Sequence, residues 1–281
     1  MPEGNGRQHH YHADAKVLEG HLLRPLVQDI KPQAPATLAP EGGYIAQEVE
    51  KFWIESVISF HSAYTQVSGN RDLKDGHGWT TLSTTVIEGL QVMEVLTVDK
   101  VVGQIITEHP LEGYVPTVSF LGTRFENLRI AGHPVHLDLD LDIFGSKPQN
   151  DAAYTQDQGF LDRVSGQYNR ILGHPNIPDE LLERYNQLSS NLGKPEAAEC
   201  SLVNQAHGSY PGISCGHVIK IPNFGTITLA KVTVTHEDFK AETGSPAKTT
   251  VALTMIGLDL GCPISGTGTL GYGSTNGQSW P

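Results

Sequence analysis

Two sets of side chains in this 281-residue chain have the types and spacing to do chemistry. The first is His136, Asp138, Asp140 and Asp142, which alternate with Val135, Leu137, Leu139, Leu141 and Ile143. Successive strand side chains point opposite ways, so one face would be apolar and the other would offer an imidazole and several carboxylates. These groups suit a divalent cation, yet same-face neighbours on a strand lie about 6.5–7 Å apart, against metal–ligand distances of about 2.0–2.6 Å. A site would therefore need two of them plus ligands from another strand. The competing reading is a solvated anionic face that keeps a sheet soluble and blocks edge pairing. The second set is His10, His12 and Asp14, in the run HHYHADA with His9. On a strand these three would share a face compatible with zinc or copper, although flexible His-rich ends also bind metals nonspecifically. The candidate metal ligands are thus His10, His12, Asp14, His136, Asp138 and Asp140, and a divalent metal is the cofactor they would imply.

Two familiar patterns occur in the wrong context. Gly266 to Gly271 fits G-x-G-x-x-G, but a dinucleotide site needs a buried strand before it and a helix after it, and here the chain runs on through Tyr272 and Gly273 toward its last residues. Gly212 to Gly216 fits G-x-S-x-G around Ser214, but Pro211 precedes it and the strand-like HVIKIP follows, where a nucleophile elbow needs a helix. No Asp-then-His order follows Ser214 either, since His236 precedes Asp238. His61, His207, His217 and His236 sit on or beside strand-like runs, where a lone histidine is more often a hydrogen-bonded structural residue than a catalyst.

The elements that must position these groups are mostly strands. Hydrophobic residues make up 38%, and 30 Gly with 17 Pro punctuate runs rich in Thr and Val. Strand patterns cover Ala15 to Ile30, Tyr44 to Ser68, Thr80 to Ile87 and Val92 to Thr107, with bends expected at Gly89 and Gly103. The reversal Ala131-Gly132-His133-Pro134 predicts a hairpin that lays Phe125, Leu128 and Ile130 against the alternating run from Val135. The period then changes. Phe160, Leu161, Val164, Tyr168 and Ile171 recur at helical spacing, and Pro178-Asp179-Glu180 opens a second helix carrying Leu181, Leu182, Tyr185 and Leu188. Strand patterns return from Ala198, with Pro222-Asn223-Phe224-Gly225 joining a hairpin and Thr249 to Leu260 after it. The Gly-rich tail GTGTLGYGSTNGQSWP predicts an irregular edge strand or strap. The fold class is mainly β, a β-sandwich or β-barrel with an inserted helical hairpin. Residues 1–14 are expected to be a mobile arm, and 15–281 a single composite β domain with the helical insertion at about 157–191.

Charge and composition exclude several functions. The net charge is −12 and no Lys/Arg cluster stands out, so nucleic acid and acidic membrane surfaces are poor partners. No window reaches the roughly 18 apolar residues of a spanning helix. The opening MPEGNGRQHHYHADA lacks the features of a secretory signal, and no N-x-S/T sequon occurs, which together predict a cytoplasmic protein. Cys200, Cys215 and Cys262 show no C-x-x-C spacing and read as buried reduced thiols.

The run EHPLEGYVPTVSFLGTRFENLRIAGHPV, with TVIEGLQVMEVLTVDKVV before it and CSLVNQ after it, resembles a family of uncharacterised bacterial β-rich proteins. The resemblance implies a natural bacterial protein and brings no activity, cofactor or site residue. The residues themselves favour a non-enzymatic binding or self-associating β-protein, a possible homo-oligomer through its edge-like tail segments. A metal-dependent enzyme using His and Asp on strand faces is the alternative, and a carrier of a small apolar ligand the third reading.

Overall fold

A computed structural model of the chain describes residues 8–25, 27–71, 78–194, 196–240 and 242–280. The first strands are β1 (Gln8–His10), β2 (Ala13–Arg24), β3 (Gln28–Gln33) and β4 (Ala36–Thr37). They correct the expectation of a mobile arm through residue 14. His9 is buried, its ring stacks on Trp79 with centroids 5.0 Å apart, and its Nδ1 lies 2.8 Å from Ser279 Oγ. Residues 1–7 lie outside the described residues.

Next comes an antiparallel meander of β5 (Gly43–Ile54), β6 (Ile58–Arg71), β7 (Trp79–Val92) and β8 (Leu96–His109). The run from Tyr44 to Ser68 is therefore a hairpin: Phe52 pairs with Phe60 and Ile54 with Ile58 across a turn where Glu55 has φ 42°. Gly89, with φ +66°, marks the expected bend: the pairing lapses between Glu88–Lys100 and Leu90–Val98 without a change of register. Gly103 is no bulge; it pairs in register with Thr85. Between β6 and β7, residues 72–77 lie outside the described residues.

On the far side of β8 the chain adds β9 (Thr117–Ser119), β10 (Arg124–Glu126) and β11 (Arg129–Ile130), and β12 (His133–Pro134) folds back on β11. The Ala131-Gly132 reversal is real, a two-residue loop with φ 48° and 79°. Positive φ at both central residues is the mirror-image turn whose twist matches that of hairpin strands. The longer hairpin expected there does not form. β13 (His136–Leu139) leaves the sheet and pairs with β15 (Val203–His207) instead, and the alternation ends near Asp140, where the chain turns. Pro134 has no N–H with which to extend the ladder, which fits its place in a two-residue edge strand.

The helices match their periodicity. α1 (Gln158–Leu172) begins at Asp157, whose carboxylate accepts the Phe160 N–H at 2.8 Å, and α2 (Asp179–Asn191) carries Asp179 and Glu180 in its first turn. Phe144, at the end of the alternating stretch, packs against Phe120, Tyr154 and Phe160 with centroids 4.8–5.4 Å apart. Each such aromatic pair adds about 0.5–1.5 kcal/mol beyond the area it buries. Arg163 of α1 donates 2.7 Å bonds to the carbonyls of Ile143 and Phe144, fixing the exit of that stretch.

A second sheet completes the fold: β14 (Ala197–Ser201), β16 (Ile213–Cys215), β17 (Val218–Ile221), β18 (Gly225–Glu237), β19 (Lys248–Leu260) and β20 (Ser265–Thr275), with β21 (Gln278–Trp280) paired to β1. Its order is β16-β17-β18-β19-β20-β2-β3, with β14 beside β18 and β4 beside β2. The glycine-rich tail is thus not a strap; β20 is an interior strand between β19 and β2. The two sheets lie face to face around a main apolar core that includes Val98 and Ile105 from the first and Leu253 and Met255 from the second, with a smaller cluster of Tyr11, Ala13, Val67 and Trp79 besides. Polar bonds also cross between them, from Ser83 Oγ to Asp14 O at 2.9 Å and from Thr65 Oγ1 to Ala34 O at 2.7 Å. None of the sheets closes on itself, so the sandwich holds and the barrel falls away. No helix among the described residues is long and apolar enough to cross a membrane.

Candidate functional site

Between Phe125 and Leu139 the chain leaves the first sheet for a separate two-stranded pair, β13–β15, and a pocket of about 230 Å³ lies at that passage. Its apolar lining is Phe125, Leu128, Val135, Leu137 and Leu139, and its polar lining is Asn127, Arg129 and His136, with Pro134 at the edge. Local sequence explains the shape. Asn127 adopts φ 52°, a left-handed conformation that Asn tolerates better than most side chains, and its Nδ2 bonds Asp99 Oδ2 at 2.7 Å, tying the loop to β8. The Val135 N–H donates to Leu128 O at 2.9 Å, joining the two walls behind the pocket. Leu128 and Val135 are buried, whereas Phe125, Leu137 and Leu139 are only half-buried and lend part of their surface to the cavity.

Arg129 and His136 are exposed. Arg129 donates one long bond, from Nη1 to Gly132 O at 3.4 Å, and among the described residues no carboxylate pairs with it. Nearby Glu126 is taken by Arg124 at 2.8 Å, and Asp99 by Asn127. His136 faces His207 across the β13–β15 pair. A guanidinium and an imidazole in a small concavity of mixed polar and apolar lining can hold a compact molecule by its body and orient it by a polar end.

The proposed metal ligands do not gather. Among the described residues no three His, Cys, Asp or Glu side chains come together as a metal site. His12 Nε2 sits 2.9 Å from Asp14 Oδ2, and this bond, followed by that from Thr37, holds the Asp14 carboxyl below its ordinary range despite partial burial. His10 lies on a different strand and turns its ring to Trp280, centroids 4.4 Å apart. The break between β1 and β2 removes the shared face that one continuous strand would have given the three. Asp138 is exposed opposite Gln205, and Asp140 lies past the end of β13, where its Oδ1 accepts the Asp142 N–H at 3.1 Å. Of these six candidates, only His136 lines the pocket. Arg129 and Asn127 were not singled out from the sequence, and Phe125 was read only as a strand residue of the hairpin; the signal was an arginine between Leu128 and Ile130 just before a two-residue turn.

Other buried polar groups serve packing. The Tyr185 hydroxyl lies 3.0 Å from His217 Nε2, and complete burial, more than the nearby Arg184 and Lys231 cations, lowers the His217 pKa to about 3. Burial pushes the Cys200 thiol well up, so it stays protonated; Cys215 is buried too, whereas Cys262 is exposed, contrary to the expectation of three buried thiols. Ser214 donates to Ala206 O at 2.9 Å on β16 and has no helix behind it. The rings of His9 and His109 approach to 4.8 Å where β1 and β21 close over the sandwich.

Residues 9–235 match a family described as a domain of unknown function (DUF8256). No curated protein and no solved structure matches the chain.

Proposed function

The chain belongs to the DUF8256 family, and from that premise we propose that it is a non-enzymatic binding protein whose ligand seat is the pocket between Phe125 and Leu139. The observation that carries this reading is the pocket itself: half-buried Phe125, Leu137 and Leu139 turn apolar surface toward a cavity that Arg129 and His136 border. Apolar surface left in contact with water costs about 25 cal/mol per Å², which a ligand covering it recovers. The sandwich serves as the rigid frame, because one wall is held by β8 and the other by β15.

Strand addition between copies is the weaker part of the binding reading. The long edge strand, β5, carries Glu48, Glu50 and Lys51, and at Lys51, with φ 40°, the ladder pairing lapses without a change of register. Charges on an edge oppose pairing with another chain.

The test is a residue-resolved NMR titration of the full chain with hexanamide, a compact neutral probe. Binding predicts saturable amide shifts over residues 125–139, and Leu137→Trp, which fills the cavity, removes them while the amide spectrum outside that segment remains that of the folded parent. Shifts scattered over the surface, or none at millimolar probe, would refute the seat.

A further inference from the structure

We propose that the ligand of this pocket is a small organic anion: a carboxylate on an apolar body of about eight to ten heavy atoms. The inference rests on the pocket being a binding seat and adds the chemical class of what it takes. Size comes from the volume. A cavity of about 230 Å³ has room for roughly eight waters at about 30 Å³ each, and so for a comparable number of ligand heavy atoms. Long acyl chains and nucleotides exceed it.

Sign comes from Arg129. In a chain of net charge −12, Arg129 lines the cavity with no carboxylate partner among the described residues; Glu126 is paired with Arg124 and Asp99 with Asn127, and Asp138 is exposed on β13. A guanidinium offers paired N–H donors that match the two oxygens of a carboxylate, and such charge-assisted bonds are about twice as strong as neutral ones. The His136 imidazole supplies a further ring nitrogen on the opposite wall. Leu128, Leu137 and Leu139, which also line the cavity, supply apolar surface for the body of the molecule. A polyanion is disfavoured by the overall negative field. One compact negative head fits one cation.

The experiment compares hexanoate with hexanamide, equal in size and shape and different in charge, by NMR titration of the full chain. Both probes are expected to shift residues 125–139, with hexanoate saturating at about tenfold lower concentration, equivalent to about 1.4 kcal/mol. Arg129→Gln is expected to erase that difference by weakening the hexanoate response more than the hexanamide response, with the urea midpoint unchanged, since Arg129 is exposed. His136→Ala is expected to remove a smaller share of the hexanoate preference. Equal saturation by the two probes in the parent chain would overturn the anionic class and leave the seat standing. A hexanoate advantage surviving in Arg129→Gln would also overturn it, and failure of both probes to shift these residues would overturn class and seat together.

Discussion

A Cβ placed on Gly103 of β8 would lie 2.6 Å from Met255 Cγ on β19, so the two sheets meet there through the absence of a side chain. Gly273 repeats the contact against Ser83 Oγ, also at 2.6 Å. Gly103→Ala should therefore overpack the interior and cost about 1–3 kcal/mol. Met255→Ala alone should cost about 2–5 kcal/mol through the cavity it leaves. The double variant should be more stable than the sum of the two by at least about 0.5 kcal/mol, because each change makes room for the other. Urea titrations of the four proteins measure this, and strict additivity would show that the sheets do not touch at this point.

Ala131 holds φ 48° in the two-residue turn before Gly132, a conformation that costs an L-residue other than Gly, Asn or Asp about 1–2 kcal/mol. Ala131→Asn creates the Asn-Gly pair this turn favours and should raise stability by about 0.5–1 kcal/mol at unchanged denaturant slope. A lower urea midpoint would mean that the turn is built otherwise.

His217 makes the fold sensitive to acid. Its folded pKa is lowered from 6.5 to about 3 by burial, so between those values the unfolded chain binds a proton that the folded chain does not. Stability from this group is complete above about pH 6.5 and falls as pH drops toward 3, with a slope approaching about 1.4 kcal/mol per pH unit. His217→Phe should flatten the profile between pH 6.5 and 5. At pH 7 it should still be less stable than the parent by about 1–3 kcal/mol, because the buried Tyr185 hydroxyl loses its partner. Urea midpoints at four pH values decide, and an unchanged slope would place His217 in contact with water.

Arg163 links α1 to the end of the stretch that forms the pocket wall, through the Ile143 and Phe144 carbonyls. Arg163→Lys keeps the charge and loses the planar fork, and should cost about 1.5–3 kcal/mol, the worth of a charge-assisted bond. Faster amide exchange at residues 140–145 should accompany it. Loss of stability without that local change would assign the residue a different role.

These contacts explain which parts of the fold were legible in the sequence. Strands with one buried face carry their own period, so β6, β8, β18 and β19 could be read from alternation, and the helices from Phe160, Val164 and Ile171. β20 was hidden because Gly271 and Gly273, poor strand formers, are there to let the sheets approach, a need that only the opposing Thr85 and Ser83 side chains reveal. β13 kept its alternation, with Leu137 and Leu139 turned to the core, but its partner lies more than sixty residues away, beyond both helices, and no local pattern names it. The pocket was illegible for the same reason. It is the gap between a segment held by β8 and one held by β15.

The most direct test of the ligand seat is a crystal structure of the full chain soaked with 4-bromobenzoate, with the bromine located by its anomalous signal. The bromine is expected among Leu128, Leu137 and Leu139, with the carboxylate on Arg129. A difference map with no bromine between Phe125 and Leu139, at a concentration where the crystals show bromine elsewhere, would contradict the account.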